Sequence, residues 1–444
     1  MGDRNTTFFQ KCILKRARKN KISFIITQDG NSLTTNDQIA QCFKSYFTNL
    51  FTSQLSVSPH HVQALQELQE TMQLSDAFTD SIPTTKKYGD MRSDAALGPD
   101  GFNAAFYKAA WPWIAQDVVQ IINNFYSTTV LPQGLNKTYI ALIPKGMDAK
   151  TPQHYRPISL CNVIYKIISS SLAKRIKNHL PSYIYASQAA FIPRRHITSN
   201  IILAQEITHS FSLKNWNQQT FMLKIDLAKA FDRIEWRFIL KALHRRGFFA
   251  HFCRLVQECL STSTFLVIIN GQPYYDFTAQ RGIRQGCPLS PYLFVLAINE
   301  LSLSLQEAMS HGQLTGITLG HNCPPIHFLM FVEDLIVCGQ TTMEEANTIK
   351  HIIDSFCIAS GQIPNWAKSS VMFSKQVTPQ QKNMFRSKLT SLKADTLSHA
   401  GRLVYINSVL ASITIYYMTN ILFPKEFLEK ITSIIRNFWW KGNQ

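Results

Sequence analysis

Residues 327–338 read HFLMFVEDLIVC, in which two runs of strand-forming side chains flank the adjacent acids Glu333 and Asp334. This pattern predicts a tight β-hairpin with both carboxylates at its tip. Farther upstream, the stretch FMLKID at 221–226 ends a second apolar strand in Asp226. Neighbouring carboxylates repel each other and favour a hard cation, usually Mg²⁺. Three acids on two strands are the minimum for a two-metal phosphoryl-transfer site.

The composition narrows the class of protein. The chain has 444 residues, 45% of them hydrophobic, which is enough for a large core divided into two or three subdomains. Its net charge of +17 favours a polyanionic partner such as nucleic acid over a merely basic soluble protein. The nine cysteines form no CxxC pair, so reduced thiols are expected rather than a disulfide framework or a zinc site. No apolar run approaches the roughly 20 residues of a membrane span.

The order of local patterns gives a coarse map of the chain. A basic cluster at 11–21 is followed by a helical pattern over 35–75, which Asn36 or Asp37 would cap. Helical and strand-like segments then alternate between 101 and 340. Within them, an apolar run ending in Asn270-Gly271 predicts another hairpin. The remainder, 341–444, is predicted to be mainly helical.

Phe231 follows Asp226 by one turn of chain, so its ring is expected over the same pocket, where an aromatic side chain can pack on a sugar. A strand-end aspartate alone is usually a turn or cap residue. Joined to Glu333 and Asp334, the functional interpretation of Asp226 becomes the better one.

The segment RGIRQGCPLSP at 281–291 is a glycine-rich loop that leads into an apolar helix. Its glycines permit close backbone approach, and a helix N-terminus favours phosphate, although Ser290-Pro291 also fits an ordinary helix start. Lys145 and Arg156 stand at the ends of two strand-like pieces. They are either a clamp for a triphosphate or two surface cations.

Taken in order, these motifs resemble the reverse transcriptase of plant LINE-type (non-LTR) retrotransposons, and the resemblance covers most of the chain. The stretch GPDGF at 98–102 resembles the family's N-terminal polymerase motif, and 397–440 resembles the segment after its polymerase core. The stretches around Lys145 and Arg156 resemble the finger motifs that hold the incoming triphosphate.

The same resemblance extends to the chemistry. Asp226 and Phe231 match the first metal-binding aspartate and the sugar-sensing aromatic gate. Gln285 matches a residue near the incoming nucleotide, and Phe331 to Asp334 match the Tyr/Phe-Ala-Asp-Asp box. Lys368, in a motif with Gly361 and Asn365, resembles the lysine associated with protonation of pyrophosphate.

The resemblance implies an α+β right-hand polymerase with fingers, palm and a partial thumb, in which an antiparallel palm sheet carries the acidic hairpin. It implies a basic helical linker region at 1–90, fingers and palm at 91–375, and a shortened thumb or connection at 376–444. Asp226, Glu333 and Asp334 would bridge two Mg²⁺ ions, and Lys145, Arg156, Phe231, Gln285 and Lys368 would contact the nucleotide. The partners would be an RNA template, a DNA primer and dNTPs, with no membrane; nuclear residence would follow from the family's habit.

The sequence departs from the family pattern in places that bear on activity. Val332-Glu333 stands where the family has Ala-Asp, and one added methylene moves a carboxylate by about 1 Å, enough to cost on the order of 100-fold in rate. Arg194 replaces a usual glycine, which would strain the turn if that glycine has positive φ.

The stretch between Ser374 and Leu397 is shorter than the family's, and no endonuclease or RNase H segment is expected on either side. These features favour a truncated, drifting copy of an element. Two hypotheses remain open, an active reverse transcriptase and a catalytically dead nucleic-acid-binding remnant, and Glu333 divides them. A maturase or telomerase lacks support from the terminal matches.

Overall fold

The computed structural model describes most of the chain between residues 20 and 389. The described residues are Lys11, 20–27, 29–53, Met91, Ser93, 96–146, 148–213, 216–320 and 323–389. Most of the predicted linker region at 1–90 and of the predicted connection at 376–444 therefore lies outside them, as does the resemblance over 397–440.

The described residues form alternating helices and strands. The helices are α1 (Asn36–Phe51), α2 (Ala104–Thr128), α3 (Val163–Tyr183), α4 (Ile197–Ser212), α5 (Ala230–Arg233), α6 (Trp236–Arg245), α7 (Ala250–Ser261), α8 (Ser290–Ser310), α9 (Met343–Ser360) and α10 (Pro379–Leu389). The strands are β1 (Ile25–Ile26), β2 (Ser32–Leu33), β3 (Lys137–Pro144), β4 (Tyr155–Cys161), β5 (Thr220–Ile225), β6 (Thr264–Ile269), β7 (Gln272–Thr278), β8 (Phe328–Phe331), β9 (Asp334–Gln340) and β10 (Ser370–Phe373).

The chain divides into two compact units. The first takes the described parts of Met1–Tyr183 and Phe231–Ala297, and the second takes those of Ile184–Ala230 and Ile298–Gln444. Each unit is therefore built from segments that are distant in sequence. The predicted divisions at 90 and 375 stay a prediction.

The first unit is built on a four-stranded sheet in the order β4-β3-β6-β7. Strand β3 is antiparallel to β4 and parallel to β6, and β6 turns directly into β7. The turn residues Asn270 and Gly271 have φ values of 50° and 90°, the left-handed conformation that a two-residue hairpin loop requires. The hairpin predicted at this position is confirmed.

An aromatic core lies between α1 and this sheet. Phe47 and Phe51, one helical turn apart on α1, are buried and meet Phe265 of β6 and Phe277 of β7, with a distance of 5.7 Å between the ring centroids of Phe51 and Phe265. Residues spaced by four face the same side of a helix, which is why the α1 aromatics reach one surface.

The N-terminus of α1 corrects one prediction. Neither Asn36 nor Asp37 is the cap, because Thr35 holds the extended cap conformation and its side chain accepts a hydrogen bond from the Gln38 amide. Threonine is itself a strong capping residue, and it comes one position before the predicted pair.

The second unit contains the sheet that carries the acidic hairpin. Its order is β10-β5-β9-β8, and every neighbouring pair is antiparallel. Strand β5 is central and nearly all buried, as expected for an apolar run covered on both faces. The predicted mixed fold with an antiparallel sheet beneath the hairpin is confirmed.

The described part of the region after residue 340 is mainly helical, as predicted, and it also contains one strand. Helix α9 begins at the Thr342 cap and ends at Gly361 with φ 73°, but residues Ser370–Phe373 then pair with β5 as an edge strand. A strand of four residues is too short for its alternation to stand out in sequence. Across the described residues, no helix combines the length and apolar character needed to cross a bilayer.

Candidate active site

Asp226 and Asp334 face each other at one end of the second unit's sheet. Ile225 of β5 pairs with Leu335 of β9, so that the next residue, Asp226, lies across from Asp334. Strands β8 and β9 are joined by the two-residue loop Val332-Glu333, with Phe331 opposite Asp334. The predicted tight hairpin is confirmed, and it brings two of the three predicted acids together.

Two lysines balance this pair of carboxylates. The Nζ of Lys224 lies 3.4 Å from an Asp334 carboxylate oxygen, and the two side chains are 18% and 53% exposed. Asp226 directly follows β5 and lies two residues after Lys224, so the two side chains share one face of the sheet. Burial raises the pKa of the Asp226 carboxyl and the charge of Asp334 raises it further, whereas Lys368, Lys224 and a hydrogen bond with Asn365 oppose the rise.

The turn after α9 holds the backbone of Asp226. The Asp226 amide donates to the Ser369 hydroxyl at 3.1 Å, and the Asp226 carbonyl accepts from the Asn365 amide at 2.7 Å. The Lys368 amide donates to the Asn365 carbonyl at 3.0 Å, which closes the turn. The structure therefore brings Lys368, which sequence reasoning assigned to the nucleotide, to the acid pair.

Glu333 has different surroundings from Asp226 and Asp334. It is partly buried and lines a small pocket whose wall includes Ile353, Phe356 and Cys357 of α9. Among the residues that the structure describes, no group of three or more histidine, cysteine or acidic side chains is arranged to hold a metal ion. The Asp226–Asp334 pair, with oxygen donors only, fits a hard divalent cation. The role of Glu333 as a third ligand stays a prediction.

The loop that carries Glu333 is strained and clamped. Val332 has φ 54°, which a β-branched side chain rarely adopts. The buried Gln188 side chain accepts a hydrogen bond from the Val332 amide at 3.2 Å and donates to the Val332 carbonyl at 3.5 Å. Such strain persists only where neighbouring groups hold the backbone in place.

Phe231 lies in the first unit on the short helix α5. Its ring stacks on Phe294 of α8, with 4.6 Å between the centroids and 12° between the planes. The Phe231 carbonyl accepts a hydrogen bond from the Ile283 amide at 2.8 Å. The ring is therefore fixed by a partner that sequence reasoning missed, because a contact between residues 63 positions apart leaves no local signal.

The glycine-rich loop approaches protein backbone closely. A Cβ on Gly282 would lie 2.6 Å from the Asp232 carbonyl oxygen, and one on Gly286 would lie 2.9 Å from the Ser159 carbonyl oxygen. Gln285 joins the same two neighbours, since its side chain donates to the Asp232 carboxylate at 3.3 Å and its carbonyl accepts from the Ser159 amide at 2.7 Å. The glycines therefore allow the loop to pack closely against the backbone of both α5 and β4.

Two arginines of this loop are buried cations that sequence reasoning also missed. Arg281 is paired with Glu235 at 3.5 Å, and both side chains are almost inaccessible. Arg284 donates to Asn136 at 2.6 Å and to the Tyr165 hydroxyl. Burial raises the pKa of Tyr165 well above its usual value, which keeps that hydroxyl neutral. These contacts make the loop a rigid support for Gln285.

Lys145 and Arg156 lie at one end of the β3–β4 ribbon. Ile143 pairs with Arg156 and Pro144 with Tyr155, so Lys145 follows the last pair directly. Both cations are exposed. Lys145 donates from its side chain to the Gln153 carbonyl at 2.9 Å, within the turn that joins the two strands. The predicted pair of cations at adjoining strand ends is thus present in the first unit.

Comparison with known proteins gives the family. Residues 143–396, more than half of the chain, match the family described as reverse transcriptase (RNA-dependent DNA polymerase). The chain belongs to the reverse transcriptase family. The match includes every predicted site residue of both units, from Lys145 to Lys368.

The curated relatives place this reverse transcriptase domain among those of non-LTR retrotransposons. It is 26% identical over 489 residues to the transposon TX1 uncharacterized 149 kDa protein of Xenopus laevis, covering 99% of this chain and 36% of the relative. It is also 26% identical over 235 residues to a Pol polyprotein from the type-1 retrotransposable element R2 of Popillia japonica, covering 52% of this chain and 31% of the relative. The chain thus spans about a third of the length of these relatives.

Among solved structures, this chain is similar to telomerase from Candida tropicalis in complex with a fragment of telomeric RNA. The TM-score is 0.40 at 12% identity, with 77% of this chain and 57% of the telomerase chain covered.

One departure from the reverse transcriptase pattern has a visible structural effect at Arg194. This residue has φ 65° and is exposed, so an arginine stands where the conformation favours glycine. The strain predicted from its sequence is confirmed.

Proposed function

We propose that this chain is the RNA-directed DNA polymerase of a plant LINE-type retrotransposon, extending a primer 3′-OH with dNTPs on an RNA template. The observation that supports it most directly is the Asp226–Asp334 pair at the end of the second unit's sheet, within a reverse transcriptase domain. A carboxyl whose pKa is raised, as that of Asp226 is, beside a second carboxylate at a strand end is typical of a catalytic site.

Each side chain then has a stated task. Asp226 and Asp334 would hold Mg²⁺, two ions once Glu333 contributes, and the bound metal would lower the pKa of the primer hydroxyl and stabilise the triphosphate. Lys224 and Lys368 balance the acids, and Lys368 stands beside them as a proton donor for the leaving pyrophosphate. In the other unit, Lys145 and Arg156 would contact the phosphates, while Phe231 and Gln285 would contact the sugar and base.

A second candidate function is a nucleic-acid-binding remnant without activity. The location of Glu333 beside α9 and the positive φ of Val332 favour it, because both lie in the loop where the metal site would be completed. A rate that depends on ligand position falls by on the order of 100-fold for a displacement of about 1 Å.

Primer extension on an RNA template with Mg²⁺ and all four dNTPs separates the two functions. The Asp226→Ala variant serves as the blank, and template binding is followed in parallel by fluorescence anisotropy. Extension above the blank supports the polymerase. Binding without extension supports the remnant, and activity regained by Val332→Ala with Glu333→Asp would assign the defect to the hairpin loop.

A further inference from the structure

Helix α6 (Trp236–Arg245) has a strongly basic side, and none of the proposed site residues lies on this helix. Ile239, Leu240, Ala242 and Leu243 are its buried residues. The remaining surface presents the α6 basic face, defined by Arg237, Lys241, His244 and Arg245. Of these side chains, Lys241 and Arg245 are exposed, and Arg237 and His244 are partly exposed.

The three permanent cations of this face form a row. Arg237, Lys241 and Arg245 follow one another at intervals of four residues, which places them one above the other along the helix. Like charges four residues apart repel, and here Lys241 has one on each side. Arg237 stands in the first turn, where the helix dipole favours an acid, and that turn contains none. Local rules broken on a surface are expected where the residues serve a partner.

The nearest acids in the sequence are engaged elsewhere. Asp232 is buried and accepts a hydrogen bond from Gln285, and Glu235 is buried and paired with Arg281. Neither of these two acids therefore offsets the charge of the α6 basic face, in a chain that already has a net charge of +17.

The geometry points to a nucleic-acid duplex as the partner. Four residues of helix rise about 6 Å, so the row from Arg237 to Arg245 is about 12 Å long. A duplex strand places a phosphate every 3.4 Å or so along its axis, so the row spans about three to four phosphates. Proteins that bind single strands combine a positively charged groove with aromatic side chains on which bases stack, whereas the row consists only of Arg237, Lys241 and Arg245.

We propose that the α6 basic face binds the phosphate backbone of a nucleic-acid duplex. The inference rests on the proposed function in that it gives such a polymerase a second surface for nucleic acid. The inference also applies to a nucleic-acid-binding remnant without activity, because the α6 basic face includes none of the residues assigned to the reaction.

The test is the salt dependence of binding to a short labelled DNA duplex, followed by fluorescence anisotropy from about 50 to about 200 mM salt. The variant Arg237→Gln, Lys241→Gln, Arg245→Gln should lower the slope of log K against log salt by about 2–3, at about 0.9 for each phosphate that is no longer neutralised. The melting temperature of this variant should be no lower than that of the parent, because the repulsion between the three cations of the row is gone.

A matched control removes the same charge from other exposed positions, through Lys174→Gln, Lys177→Gln and Lys388→Gln. This control should keep most of the slope. An equal fall in both variants would reduce the effect to net charge and overturn the proposal. Failure of the parent to bind the duplex would also overturn the proposal. So would an α6 variant that loses binding to a single-stranded RNA of the same length but binds the duplex as the parent does.

The single variant Lys241→Gln, expected to lower the slope by about 1, gives the same answer if the triple variant does not fold. Primer extension by the parent is recorded separately. A parent without extension contradicts the polymerase but leaves the binding comparison intact, so the two failures are distinguishable.

Discussion

The close approach of Gly282 to Asp232 predicts a large loss of stability on Gly282→Ala. Gly282 has φ 83°, and its new Cβ would lie 2.6 Å from the Asp232 carbonyl oxygen and 3.0 Å from the carbonyl carbon. The left-handed conformation costs a residue with a Cβ about 1–2 kcal/mol. Overpacking against immobile backbone adds about 1–3 kcal/mol. Together the two effects should lower the free energy of unfolding by about 2–5 kcal/mol.

Gly134→Ala is the matched control for this variant. Gly134 has φ 80°, nearly the same as Gly282, and nothing lies within 4 Å of its Cβ position. It should therefore lose only the conformational part, about 1–2 kcal/mol. Urea unfolding followed by circular dichroism measures both changes against the parent. Equal losses in the two variants would refute the reasoning, because the clash with Asp232 would then have no energetic effect.

Three further outcomes follow from the geometry. Arg194→Gly should stabilise the chain by roughly 1 kcal/mol in thermal melts while Arg194→Ala should not, since only glycine relieves the positive φ at this exposed position. Asp226→Asn should raise the melting temperature at neutral pH, and this gain should vanish near pH 4. The reason is that a carboxyl whose pKa is raised in the folded state loses its stabilising contribution as pH rises through that pKa, and asparagine has no such loss. A gain that is independent of pH would contradict this. Phe294→Leu should raise the use of rNTPs relative to dNTPs in primer extension, as Phe231 loses its stacked support; an unchanged ratio would show that Phe231 is positioned without it.

Local signals in the sequence were sufficient for the hairpins and for one acid pair. Asn270-Gly271 predicted its turn because only small or polar residues adopt its φ values easily. The ends of β5 and β9 predicted the meeting of Asp226 and Asp334, because both acids directly follow or begin an apolar strand. The antiparallel sheet was expected from the resemblance, and its edge strand β10 was not predicted.

Contacts between distant segments were beyond such signals. The stacking of Phe231 on Phe294 and the hydrogen bond from Gln285 to Asp232 depend on how α5, α8 and the glycine-rich loop pack, which no period or turn residue encodes. The sequence presented the loop's glycines as a possible phosphate cradle. Their Cβ positions face the backbone of Asp232 and Ser159 instead, because the loop holds two elements of its own unit together.

The hairpin loop explains how one methylene at Glu333 can matter. Gln188, itself buried, fixes both the amide and the carbonyl of Val332, so the loop backbone is not free to retreat by the length of the added group. A longer side chain on a fixed backbone cannot place its carboxylate where that of an aspartate would lie, and Glu333 is among the residues that line the small pocket beside α9. The acids that remain are Asp226, which directly follows β5, and Asp334, which begins β9, and the backbone pairing of these two strands does not involve residue 333. We therefore infer that any defect of this site resides in the two loop side chains and leaves the sheet unaffected, which is why restoring both of them is the decisive rescue.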